Sequence, residues 1–437
     1  MPRNRVASSA SPAVAPAKLR GPAKGIFQQL KDKGIAYWLT GVVVLFLAFG
    51  ASGPAYRLAG LTERKAELFQ WLLEKGPRPP EPHFIKLVLI DDDEYWEGGL
   101  AGRRPIKRDY LADLVEKIAF AKANVIALDF DVRLPDPKSA KIPTEYEKET
   151  ERLIGAIKIA AEGGTRIVLA TSLSTDSQGD YILEPDIYRL AGLCQRSEAA
   201  PDAIGRNVTC GYIQLPYDRL AVPGPLRLAD GRIIDSFGAA VARAERPTLI
   251  AQRLARIGSD VSYTNFISEE KFDEYGARVS AKDIRAGQPE ELEKLRAAAV
   301  IVGAHWSLFA SGRGPTVDLH STPIGQMVGA VMHANFAEAL LDSRTYAAAP
   351  KYILEATELA FGVFAAVVFA LIPGFWKVAG LAGMTGLLLV IQWGALHGFG
   401  LFFDAFVPLL GLGLHAIFER FAGVHPADEA QAHTPLN

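Results

Sequence analysis

The chain has 437 residues, long for one domain and short for three, with 47 basic against 49 acidic side chains and a net charge of −2. A balance this close to neutral argues against a nucleic-acid partner. The two cysteines form neither a C-x-x-C pair nor a Cys/His cluster of zinc spacing, which argues against a structural zinc site.

Charge is absent from a few apolar runs and dense elsewhere, the pattern of a membrane protein with a water-exposed domain. Residues 1–33 form a Pro/Ala/Ser-rich tail carrying Arg3, Arg5, Lys18, Arg20, Lys24, Lys31 and Lys33 against Asp32. Residues 34–56, with the core YWLTGVVVLFLAFG, carry no charge and exceed the roughly 20 residues that cross a bilayer. The positive-inside bias places the tail in the cytoplasm, and a run longer than a usual signal core after a long tail reads as an uncleaved anchor. A cleaved signal peptide is the rival reading, because Ala51, Ser52 and Gly53 are small.

A water-exposed block follows over 57–350. Thr62–Glu74 has helical spacing, with Leu68, Trp71 and Leu72 on one face and Thr62 as the cap, and it ends at Gly76-Pro77-Arg78-Pro79-Pro80. Ile85–Ile90, Val125–Leu128, Arg166–Ala170 and Ala298–Val302 read as buried strands. Helical patterns at Arg108–Ala123 and Tyr146–Ala161 separate the first three, so the strands pair in parallel. Tyr212–Leu215, Leu226–Leu228 and Arg232–Ile234 read as short strands, the last two joined by an Asp230-Gly231 turn. Ser236 caps a helix containing Phe237, Val241 and Ala244. Val261–Phe266 and Ala277–Val279 read as further strands, antiparallel at the sheet edge. Cys194 and Cys210 are close in sequence; in an oxidising compartment they form a local disulfide, and otherwise they are two separate buried thiols.

Three apolar runs close the chain, roughly Leu359–Trp376, Val378–Leu396 and Phe399–Phe418. As spans they occupy 351–376, 377–396 and 398–418, and residues 419–437 form a short polar tail expected to be disordered. Their connections are too short to join anything but antiparallel neighbours. With four crossings both termini lie inside, together with Lys377 and Arg420, and the block lies outside. Asp404 lies within the last run, either as a functional acid or near enough to the outer end to reach headgroup water. The fold class expected is α/β, an open and mostly parallel sheet sandwiched by helices, flanked by one N-terminal and three C-terminal membrane helices.

Chemistry is expected at the carboxyl ends of the strands, where open parallel sheets bind ligands. The first strand ends in Asp91-Asp92-Asp93-Glu94 and the second in Asp129-Phe130-Asp131. If these strands are neighbours, Asp91 and Asp129 approach one another and need a cation, a proton or Arg104, Lys107 or Arg108. His305 ends the fourth strand, and Asp318 and His320 lie in the loop beyond it, so a divalent cation is one possible occupant. The plainer alternative is that Asp91 and Asp129 cap helices and pair with local arginines. Ser311-Gly312-Arg313-Gly314-Pro315 lacks the Lys-Ser/Thr of a P-loop, and no nucleophile–base pair is legible.

The segments GPRPPEP, IKLVLIDDDEYW and RRPIKRDYLADLVEKIAFAKANVIALDFDV, with AAAVIVGAHWSLFASGRGPTVDLHSTPIGQMVGAVMHANFAEALL near the end, resemble the type-2 CHASE domain. That family is the extracellular sensory module associated with bacterial cyclases and histidine kinases. The resemblance runs from the connector to the last membrane helix. It implies a multi-pass protein of the bacterial inner membrane with a periplasmic sensory domain. His320 departs from the loop pattern, and no effector domain is legible after the last apolar run.

The leading expectation is therefore a sensory subunit that signals to a separate effector in trans, not itself an enzyme. The lipid bilayer and a second copy of the chain are its other expected partners. Two alternatives stand beside it: a metal-assisted hydrolase using Asp91, Asp129, Asp318 and His320, and a structural envelope protein that only docks.

Overall fold

The structure is a computed structural model. It describes residues 61–76, 80–133, 145–194, 202–215, 221–257, 262–310, 314–350, 352–353, 356–357, 360–361, 363–364, 367 and 376–402. The basic tail, the 34–56 anchor, Asp404, nearly all of the last apolar run and the C-terminal tail lie outside these residues. The chain divides into two compact units: Gly53–Leu354 with Leu388–Phe406, and Met1–Ser52 with Glu355–Leu387 and Val407–Asn437.

The first unit is built on six parallel strands: β1 (Ile85–Asp91), β2 (Val125–Leu128), β3 (Arg166–Thr171), β4 (Val208–Tyr212), β5 (Arg278–Ser280) and β6 (Ala299–His305). Their order across the sheet is β5-β1-β6-β2-β3-β4, every pairing parallel. Side chains alternate between faces along each strand, so Val88 and Ile90 of β1 enter one core and Leu87 and Leu89 the other. Helices α1 (Leu61–Glu74), α2 (Arg108–Phe120), α3 (Tyr146–Glu162), α4 (Phe237–Glu245) and α5 (Gly329–Leu341) cover the two faces. The first core takes Leu111, Leu114, Val115 and Ile118 of α2 with Leu153 and Ile157 of α3. The opposite core takes Phe69 and Leu72 of α1, Phe237 and Val241 of α4, and Met332, Phe336 and Leu340 of α5. Both faces are thus sealed, which is why the strands read as continuous apolar runs.

Helix α5 presses hard on the sheet. A Cβ on Gly303 of β6 would collide with Ala330, so glycine is what lets the helix N-terminus approach this strand. Helix α4 begins as its sequence predicts, with Ser236 accepting from the Ala239 N–H. The Asp230-Gly231 turn also forms, with Gly231 at φ 82° and Leu226–Arg227 paired antiparallel to Ile233–Ile234.

Five expectations need correction. Helix α1 starts at Leu61, so Thr62 lies inside it, and Trp71 is 47% exposed while Phe69 takes the buried position. The strand expected at Tyr212–Leu215 is instead β4, Val208–Tyr212, because it starts directly after the short helix Ala203–Asn207 and buries Val208 and Cys210. The strand near Ala277–Val279 is the sheet edge, but parallel to β1. The strand within Val261–Phe266, Ser262–Thr264, leaves the main sheet and pairs antiparallel with Thr345–Ala348. Finally, β1 and β2 are not neighbours, because the closing strand β6 inserts between them.

Cys194 and Cys210 are joined by a disulfide, with Cα atoms 5.2 Å apart and 16 residues of sequence separation. Closing a loop of this length stabilises a fold by about 2–3 kcal/mol through the unfolded chain's lost entropy. Reduction with dithiothreitol should therefore lower the melting temperature by several degrees, and an unchanged melting curve would refute the assignment.

One helix among the described residues, Trp376–Phe399 (α6), is long and apolar enough to cross a membrane, through its window Ala382–Phe399. Its 24 residues span about 36 Å at the helical rise of 1.5 Å per residue.

Candidate functional site

The carboxyl edge of the sheet gathers the polar side chains into two clusters and a cavity. The first cluster lies where β1 and β6 run side by side, in register at Asp91 and His305. Asp91 Oδ1 stands 3.0 Å from His305 Nδ1 and accepts from Arg278 Nη2 at 2.9 Å. His305 Nε2 lies 3.3 Å from Glu269 Oε2, and the other Glu269 oxygen accepts from the Val328 N–H at 3.3 Å, just before α5 begins. Hydrogen bonds to the two carboxylates push His305 up to about 9, so it is an imidazolium at neutral pH. Burial opposes ionisation of Asp91, but the bonds from His305 and Arg278 prevail and hold its carboxyl below its usual value. Glu269 is lowered in the same way against its own burial. This is a satisfied ionic lattice that ties β1, β5, β6 and the start of α5 together.

The second cluster lies beyond β2. Asp318, at φ 52°, holds His320 Nε2 at 2.8 Å from its Oδ1. A Cβ on Gly329 would collide with the Asp318 carboxylate, which therefore sits over the first turn of α5, where helix N–H groups favour an anion. Burial, followed by repulsion from Asp318, pushes Asp129 up to about 8, so it is largely protonated at neutral pH. One turn into α5, burial pushes His333 down to about 4; it stacks edge-on against Phe237 and leaves its Nδ1 unpartnered.

Asp91 and Asp129 are thus two strand spacings apart, about 10 Å at the usual pitch, and the expectation that they share one site is not met. The four groups of a metal-assisted hydrolase fall apart likewise, Asp91 into one cluster and Asp129, Asp318 and His320 into the other. Among the described residues, no three His, Cys, Asp or Glu side chains converge as a metal-ion site. Asp93 is exposed on a single π-helical turn, Asp93–Glu97. Asp92 is structural: its carboxylate accepts from the Ser307 N–H at 2.6 Å and the Ser307 hydroxyl at 2.8 Å.

A cavity of about 290 Å³ opens beside these clusters at the ends of β6 and β2. Tyr95, Phe130 and Trp306 line it with Ile106, Val132 and Val317, and its charges come from Arg104, Arg108, Asp131 and Arg133. Trp306 stacks on Tyr95 with ring centroids 4.1 Å apart and planes 5° from parallel. Asp131 accepts from Arg133 and from the Ser172 hydroxyl, and Arg133 also meets Glu184 at 3.1 Å. Among the described residues, Arg104 donates to the Tyr95 hydroxyl at 3.4 Å and the Leu308 carbonyl at 3.2 Å, and to no acid. Arg108 is 1% exposed, lies over the Tyr146 ring, and donates to Tyr146, Thr150 and the Arg133 carbonyl.

Within the same unit, the segment after α6 enters the core opposite α2 and α3. Leu401–Phe402 pairs parallel with Thr345–Ala348, extending the sheet that holds Ser262–Thr264. Phe402 is 3% exposed, its ring meeting Phe69 at 4.8 Å and Tyr263 at 5.2 Å. His397 Nε2 donates to the Leu72 carbonyl of α1 at 3.0 Å.

Sequence patterning misses Arg278, Glu269, Trp306 and Glu338. The signal for Glu338 is present: α5 reads GAVMHANFAEALL, apolar on all sides, so its polar residues have to be buried. Arg278 and Glu269 carry no such signal, since each is an ordinary surface-type residue until the fold brings it to His305.

A family model for the CHASE2 domain matches residues 40–374 of the chain. No curated protein and no solved structure matches it.

Proposed function

Because the chain belongs to the CHASE2 family, a family of extracellular sensory domains, we propose that it is a membrane-held sensor of the bacterial inner membrane. In this reading the α/β unit lies in the periplasm, four crossings return both termini to the cytoplasm, and the signal passes to a separate effector protein.

The observation that carries the reading is the junction after α6. In a four-crossing order, the link between the third and fourth crossings lies on the outer side. Leu401 and Phe402 fall at the start of the run expected to cross from residue 398, but they form a strand built into the core of the α/β unit, so in this reading the outer link extends through them and the fourth crossing begins later. A shift of α5 or of the Thr345–Ala348 strand therefore reaches an apolar helix through packed side chains and backbone hydrogen bonds. A ligand moves such an equilibrium only by its differential affinity for the two states.

Cysteine labelling in intact cells tests the arrangement. The native cysteines are bonded to each other, so an introduced thiol is the single reactive one. Ile182→Cys, on an exposed hairpin strand, should react with a membrane-impermeant maleimide in intact cells. Asn437→Cys should react only after permeabilisation. The opposite pattern overturns the orientation, and mild crosslinking in native membranes that captures no protein but the chain itself overturns the separate effector.

A further inference from the structure

We infer that the cavity between the ends of β6 and β2 is a binding site for a small planar organic carboxylate. The inference rests on the sensory reading only for its biological consequence, since occupancy itself is measured directly. Four observations lead to it.

The first is charge. Four ionic side chains line the cavity: three guanidinium groups, Arg104, Arg108 and Arg133, and one carboxylate, Asp131. Asp131 is already engaged by Arg133, and Glu184 shares that same arginine. Among the described residues, neither Arg104 nor Arg108 has a carboxylate oxygen bonded to its guanidinium. Glu149 has both oxygens bonded by Arg103 at 2.5 Å, and one of them also accepts the Arg108 backbone N–H at 3.1 Å, so it meets Arg108 through the backbone and at longer range rather than at the guanidinium. The cavity therefore carries an excess of positive charge facing neutral partners.

The second is cost. Arg108 is buried, and a buried cation is expensive unless an anion or a full set of hydrogen bonds compensates it. Its guanidinium bonds only neutral partners among the described residues, and Glu149, which attracts it, is shared with Arg103 and so supplies only part of a counter-charge. An anion entering the cavity supplies that charge in a partly desolvated setting, where the attraction is stronger than in water.

The third is shape and apolarity. Phe130, Val132, Trp306 and Val317 are apolar walls, and the volume of about 290 Å³ suits a molecule of one ring. A flat body packs against aromatic faces, while a carboxylate matches the fork of a guanidinium in two parallel hydrogen bonds. Bare phosphate or sulfate would satisfy the charge and leave the aromatic walls unused.

The fourth is position. The cavity lies at the carboxyl ends of the adjacent parallel strands β6 and β2, the edge where open parallel sheets place their ligands. Trp306 immediately follows His305, so an occupant touching Trp306 bears on the β6 end that holds Asp91 and Glu269. The site is thereby linked to the start of α5 through Glu269 and the Val328 N–H.

Arg104 is the group to alter, because it is exposed and its bonds are to a neutral hydroxyl and a carbonyl, so its loss should leave the fold intact. The experiment is isothermal titration of the full chain in lipid nanodiscs with sodium benzoate, benzylamine and inorganic phosphate. Benzoate should bind saturably with a stoichiometry of about one per chain, at least tenfold more tightly than either other probe. Arg104→Ala should weaken benzoate at least tenfold with an unchanged melting temperature, and Arg104→Lys should restore part of the affinity. Benzylamine binding as well as benzoate, phosphate binding as well as benzoate, unsaturable benzoate, or an unchanged affinity in Arg104→Ala would each overturn the assignment. Saturable benzoate binding with no change in the captured effector would leave this site standing and remove the sensory reading instead.

Discussion

Replacing Glu338 with alanine should cost the α/β unit about 3–4 kcal/mol. Glu338 is fully buried on α5, and its Oε1 accepts three successive backbone N–H groups, from His83 at 3.0 Å, Phe84 at 2.7 Å and Ile85 at 2.7 Å. These are the donors at the entry to β1, and alanine would remove their acceptor; Ile85 is buried and Phe84 partly so, while water can reach the exposed His83. Each buried donor stripped of its partner costs about 1–3 kcal/mol, and the newly emptied volume adds to this. Burial pushes the Glu338 carboxyl above its usual value, against the opposing pull of those three donors. Glu338→Gln keeps a carbonyl oxygen at the same place and should recover a good part of the loss. Thermal and urea melts of the two variants in the same detergent decide the matter. Equal stability of wild type and Glu338→Ala would show that this carboxylate does not organise the start of β1.

The second large effect is a pH dependence centred on His305. Its folded-state pKa of about 9 stands above the 6.5 of the free side chain, so the folded protein binds the proton more tightly than the unfolded one. The stabilisation is complete below pH 6.5 and is lost as pH rises through 9. A shift of this size corresponds to about 3 kcal/mol. Asp91 and Glu269 are lowered, so their part of the same lattice is present above the ordinary carboxylate range and fades as pH falls below it. Stability should therefore peak in the mildly acidic range and decline on both sides. His305→Gln should flatten the alkaline limb between pH 6.5 and 9. Asp129, raised to about 8, contributes a decline of the same sign over part of this window, so only the difference between wild type and His305→Gln isolates the imidazole. A difference that stays constant from pH 6 to 9 would mean that His305 is not held as an imidazolium.

Much of the α/β unit is legible in the residues alone. β-Branched runs such as Val125–Leu128, bounded by polar residues, mark strands buried on both faces. The three- and four-residue spacing of Leu111, Leu114, Val115 and Ile118 marks a helix that covers one of those faces. Local chemistry suffices for these, because each signal involves neighbours within a few positions. The Ser236 cap and the Gly231 turn belong to the same class.

The composition of the site is a different kind of information. Sequence identifies Asp91 and Asp129 as strand-end acids, and it identifies Asp318 and His320 as neighbours. It does not say which strand lies beside which. Chain order suggests that β2 follows β1 across the sheet, yet β6, more than 170 residues later in sequence, takes that place. Non-local strand pairing is decided by how whole faces pack, not by any short pattern. That single insertion sends Asp91 to His305, Arg278 and Glu269, and leaves Asp129 to be neutralised by burial beside Asp318. It also brings Trp306 against Tyr95 and so forms the wall of the cavity.

By itself, then, the sequence determined the fold class, the apolar runs and the family, since these rest on periodicity, hydropathy and contiguous motifs. Only the tertiary structure decided which acids share a cation, which arginines have no acid bonded to the guanidinium among the described residues, and where the strand after α6 is bound. Those outcomes depend on distances between residues far apart in the chain, and such distances are set by packing two cores on one sheet.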